Sequence, residues 1–93
     1  MSDGVDIVVG RRLKARRRLL GMTQKGLGAT CGVTFQQIQK YECAVSRLSA
    51  AMLWKLACAL DVDISYFFSG LTRDAEKGEE RRPAMPVGVA ANF

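Results

Sequence analysis

Four times along this chain an apolar residue precedes a Ser, Thr or Asp, and a second apolar residue follows four positions later. The four are Met22–Thr23–Leu27, Val33–Thr34–Ile38, Leu48–Ser49–Leu53 and Val62–Asp63–Phe67. The polar residue can accept a hydrogen bond from an otherwise orphan amide at the start of a helix, worth about 1 kcal/mol against alanine. The flanking apolar pair is a hydrophobic staple, which fixes how the chain enters that helix. One such match is weak. Four in one chain predict four short helices with defined starts.

A further helix precedes them. Asp6 is a usable N-cap, and the segment runs through Arg11, Leu13, Arg17 and Leu20 to Gly21, which can take the left-handed position that ends a helix. Val9, Leu13 and Leu20 share one face at helical spacing, fringed by the Arg11–Arg12 pair and the Arg16–Arg17–Arg18 run. In the third helix, Thr34 with Gln37 makes a capping box. The second helix carries Gly26 at the equivalent position, and Gly26 and Gly28 each lower helix propensity by about 1 kcal/mol. Nothing in the sequence accounts for Gly26. Between these helices Cys31-Gly32-Val33-Thr34 makes a short, sharp turn, so the two helices cross steeply, as in a helix-turn-helix. Leu53, Leu56, Ala57 and Leu60 form the main core stripe of the fourth helix, leaving Trp54 and Lys55 partly exposed. No strand pattern competes.

Composition bounds the function. The chain has 93 residues, 48% of them hydrophobic, which suits one small domain with one core. Residues 9–68 hold ten basic and three acidic side chains, a balance of +7, while residues 69–93 hold four of each. The basic excess belongs to the folded part and favours polyanions, nucleic acid before acidic membrane, with a merely solubilising surface as the plain alternative. Cys31, Cys43 and Cys58 fit no zinc spacing, and there is no histidine. No metal or cofactor is expected. With no secretory leader and no apolar run near 18 residues, the expectation is a reduced, cytoplasmic protein whose cysteines act as small hydrophobes; a redox-sensing Cys43 is the alternative. With no histidine, no phosphate-binding glycine loop and no paired carboxylates in a plausible pocket, an enzyme is not expected.

The ordered set Gly10-Arg11-Arg12-Leu13, Arg17, Gly21-Met22-Thr23-Gln24, Leu27, Gly32-Val33-Thr34, Ile38, Tyr41-Glu42 and Ala59-Leu60-Asp61-Val62 resembles the Cro/repressor-type (XRE) helix-turn-helix family, which includes the lambdoid phage repressors. The resemblance covers about two thirds of the chain. It implies an all-α fold: a compact five-helix lambda-repressor-like domain over residues 9–70, after an N-terminal arm at 1–8 and before a flexible tail at 71–93. It also implies that the third helix lies in the DNA major groove while the second crosses the backbone. Two departures stand out. The family usually has a glycine after the recognition helix, where Cys43–Ala44 stands here, and a polar helix former where Gly26 stands.

The recognition helix offers Phe35, Gln36, Gln37, Gln39 and Lys40 to bases, with Ile38 and Tyr41 on its buried side. Glutamine can bond adenine in bidentate fashion, and lysine can reach guanine. Phe35 either packs on a thymine methyl or covers the core, and Gln37 either reads a base or serves only the capping box. Gln24, at the first turn of the second helix where free amides attract an anion, is the first candidate for a phosphate contact; Arg47, Arg11 and Arg12 follow. By family resemblance Arg17 and Glu42 pair, tying the first helix to the end of the third.

The expected function is sequence-specific binding of double-stranded DNA by a homodimeric regulator, a repressor being the first reading. The alternative is a protein-interaction module, such as an antitoxin or corepressor, that also binds DNA and uses Trp54 and the apolar tail for a protein partner.

Overall fold

The computed structural model describes residues 4–71. Four α-helices follow in order, α1 (Gly4–Leu19), α2 (Gln24–Cys31), α3 (Phe35–Glu42) and α4 (Ala50–Leu60), and a 3-10 turn (Ile64–Phe68) closes the series. Every element sinks at least one side chain completely: Leu13 from α1, Leu27 from α2, Ile38 from α3, Leu56 and Leu60 from α4, and Phe67 from the turn. Each such burial contributes about 1.5–3 kcal/mol, so all five elements are held by one shared core.

The caps are where the sequence puts them. Thr23 accepts from the Gly26 amide at 2.9 Å, Thr34 from Gln37 at 3.1 Å, Ser49 from Met52 at 3.0 Å and Asp63 from Ser65 at 3.1 Å. The hydroxyl and amide of Ser65 hold the Asp63 carboxyl below the usual carboxylate range. Of the capping box, the Thr34 half forms; the Gln37 side chain returns no bond among the described residues.

Four expectations need correction. α1 begins at Gly4, so Asp6 lies inside its first turn rather than capping it. Leu20 lies beyond the end of α1 and is 44% exposed, because Gly21, at φ 72°, swings the chain away. The buried stripe of α1 instead runs Val9, Leu13, Arg17. The fifth helix is a 3-10 turn. Its bonds span three residues (Tyr66 to Asp63, Ser69 to Tyr66), the spacing of a 3-10 turn, and Phe67 is its fully buried anchor. Finally, only Cys31 behaves as a small hydrophobe, its burial pushing the thiol pKa up, whereas Cys43 and Cys58 are exposed.

Arg12 and Arg16 of α1 are tied into the fold, while Arg11 and Arg18 are exposed. Arg12 lies over the Tyr66 ring, 4.4 Å from its centroid, and donates to the Tyr66 carbonyl, while the Tyr66 hydroxyl donates back to the Arg12 carbonyl. Arg16 donates to the carbonyls of Leu60 and Asp61, serving the C-terminal end of α4. Four residues apart on one helix face, these two clamp α1 to the C-terminal part of the fold. The predicted arm lies outside the described residues at positions 1–3, and the tail does from residue 72 onward. Among the described residues no helix is long and apolar enough to cross a membrane.

Candidate nucleic-acid interface

α2 and α3 meet through a missing side chain. A Cβ on Gly28 would lie 2.6 Å from the Val33 carbonyl oxygen, closer than van der Waals contact allows. The Gly28 carbonyl in turn accepts from the Val33 amide at 2.9 Å, and Gly32 turns the chain at φ 78°. The turn is therefore as tight as its backbone permits, and Thr34 starts α3 at once. Gly28 counts in the sequence only as a poor helix former; its close approach is a property of the packed pair.

α1 meets the other end of α3 in the same way. A Cβ on Gly10 would lie 2.6 Å from the Tyr41 carbonyl oxygen and 2.7 Å from that of Glu42. Beside this contact, Arg17 grips Glu42 with two donors, Nε to Oε2 at 2.6 Å and Nη2 to Oε1 at 3.1 Å. The third arm of the guanidinium donates to the Met22 carbonyl at 2.8 Å, in the turn that leads to α2. Gln24 adds its side-chain amide to Glu42 Oε1 at 3.0 Å. The Glu42 side chain is only 2% exposed. One carboxylate thus joins α1, the first residue of α2 and the last residue of α3.

With both ends fixed, α3 divides sharply. Ile38, Tyr41 and Glu42 face inward, while Phe35, Gln36, Gln39 and Lys40 are exposed and Gln37 is half-buried. Phe35 keeps 45% of its surface open, so it does not cover the core. The loop after α3 folds over the helix end, with the Val45 and Ser46 amides both donating to the Lys40 carbonyl. Ala44, in place of a glycine, takes the left-handed conformation at φ 62° and is buried. The conformation costs an L-residue about 1–2 kcal/mol. Ala44→Gly is accordingly expected to fold at least as stably as wild type. Ala44→Val, β-branched at positive φ in a filled site, should lose about 2 kcal/mol. Thermal melts of the two variants check this.

The remaining phosphate candidates have different surroundings. Arg47, 70% exposed at its side chain, pairs with Asp6 of α1 at 3.1 Å. Arg11 is exposed, and Arg12 is committed to Tyr66 as described above. Gly26, unexplained in the sequence, lies at an exposed position of α2 where a Cβ would come within 3.1 Å of the capping Thr23 hydroxyl. No cluster of potential metal ligands occurs among the described residues.

A helix-turn-helix family model matches residues 13–67. A regulator from Sinorhizobium fredii, named as an HTH-type transcriptional regulator, is 47% identical over 75 residues; the match takes in 81% of this chain but spans only 52% of that relative's length. Among solved structures, the P22 c2 repressor in complex with a synthetic operator superposes with a TM-score of 0.62 at 31% identity, over 67% of this chain and 94% of the repressor chain. The restriction-modification controller protein C.AhdI of Aeromonas hydrophila does so with a TM-score of 0.65 at 27% identity, over 68% and 96%. On its capped helices, its turn and these matches, the chain belongs to the Cro/repressor-type (XRE) helix-turn-helix family.

Proposed function

We propose that this protein binds double-stranded DNA sequence-specifically and regulates transcription, with α3 in the major groove. The observation that carries the reading is the division of α3: a polar and aromatic outer face on a helix whose orientation is fixed by the buried Arg17–Glu42–Gln24 network. The repressor–operator complex with the same fold supports it. Gln36 and Lys40, four apart on the outer face, read bases; Gln39 and Phe35 flank them, Phe35 against a thymine methyl; Gln37 is the most sheltered of the set. Gln24 donates one amide hydrogen to Glu42 and keeps the other for a phosphate beside the free amides of α2. Arg47 and Arg11 supply further phosphate contacts. One recognition helix covers only a few base pairs, so two copies on a two-fold site are required, and occupation of a promoter by such a dimer represses it.

Genome-wide footprinting with the purified full chain tests the reading by supplying sites and their symmetry. On a site so defined, Gln36→Ala and Lys40→Ala should each cost about 1–3 kcal/mol of binding and relax the preference at one base pair per half-site. Wild-type affinity for both variants, or binding indifferent to salt, overturns the reading.

A further inference from the structure

We infer that Asp6 is a built-in competitor of DNA phosphate at Arg47, so that the first turn of α1 sets the protein's affinity for the duplex. The inference rests on the DNA-binding reading given above and deepens it.

Arg47 stands in the loop that folds back onto the C-terminal end of α3, directly after Val45 and Ser46, whose amides hold that loop to Lys40. It is thereby carried on the flank of the recognition helix, where a backbone phosphate would be met. Its guanidinium is already engaged there by the carboxylate of Asp6, which reaches across from a different helix. The two groups are unequally placed: the Asp6 side chain is 20% exposed, against 70% for Arg47. The acid is the sheltered member of the pair and the arginine the one open to solvent.

A phosphate that takes Arg47 must therefore either displace Asp6 or share the cation with it. If it displaces the acid, the ion pair is lost on binding. If it shares, two anions approach within about one Debye length, and their repulsion opposes the new contact. Either way the carboxylate acts against the duplex. An exposed ion pair is weak enough to be exchanged, since such pairs are worth about 0–1 kcal/mol, whereas charge-assisted contacts to phosphate are among the stronger hydrogen bonds. Among the other described acids, Glu42 is buried on Arg17, Asp63 caps the 3-10 turn and Asp61 lies at the end of α4. Asp6 is the described acid that faces a cation on the α3 side.

The test uses the full chain and a labelled duplex of random sequence, with binding followed by fluorescence anisotropy between about 0.05 and 0.2 M salt. Asp6→Asn should bind about three- to tenfold more tightly than wild type at the low end, with the advantage shrinking as salt rises. In an Arg47→Ala background the same substitution should have little effect. Melting curves of each variant separate loss of fold from loss of binding. Wild-type binding with Asp6→Asn unchanged or weaker overturns the inference and leaves the DNA-binding reading standing, as does a gain that survives in full without Arg47. A wild-type protein that ignores the duplex at every salt concentration overturns the reading itself.

Discussion

Replacing Gly10 with alanine will lower the melting temperature by about 10–20 °C, corresponding to about 3 kcal/mol for a domain of this size. In a typical exposed helix the substitution would gain about 1 kcal/mol of helix propensity. Here the new methyl would meet the Tyr41 and Glu42 carbonyl oxygens at 2.6 and 2.7 Å. Both obstacles are backbone atoms at the end of α3, so no side-chain rotation relieves them. The collision must push α3 off α1, in the direction that stretches the Arg17–Glu42 bonds. The clash outweighs the propensity gain, and a circular-dichroism melt shows which wins. An unchanged or higher melting temperature would mean that α1 and α3 are not in close contact.

Glu42→Ala should destabilise the fold by about 3–5 kcal/mol, because it leaves the buried Arg17 guanidinium without its counter-charge. The pair itself need not be a net source of stability, since burying two charges costs about what their attraction returns. That distinction is measurable. Removing both charges together, as Arg17→Met with Glu42→Leu, should recover most of the loss, while each single change remains severe. Equal losses in the single and double variants would contradict the account. Any Glu42→Ala protein that stays folded should bind DNA more weakly, since α3 has lost the group that sets its orientation; a folded variant with full affinity would show that the network has no part in recognition.

What the sequence makes legible is the local chemistry. The Thr23, Thr34, Ser49 and Asp63 caps are each a side chain bonded to an amide two or three residues on, so the residues that decide them are adjacent in the chain. The inward face of α3 follows from the spacing of Ile38 and Tyr41 for the same reason. Gly10 and Gly28 are illegible because their role depends on which carbonyl comes to lie opposite, and that is set by the whole fold. The run of arginines misleads in a related way. The sequence shows Arg12 and Arg16 only as charge beside an apolar face; the carbonyls and the ring that engage them lie more than 40 residues away and are brought to them by the fold. Leu20 fails because periodicity says nothing of where a helix stops, and Gly21 ends this one just before the stripe would reach it.

The separation of labour on α3 has a consequence for the lineage of such a protein. Exchanging the side chains at 36, 39 and 40 touches neither the core nor the network that aims the helix. If α3 reads bases as proposed, new targets can be acquired by point changes whose folding cost is near zero, with the scaffold inherited intact. On that proposed reading, a handful of such swaps, made together, would redirect the molecule to another address in the genome.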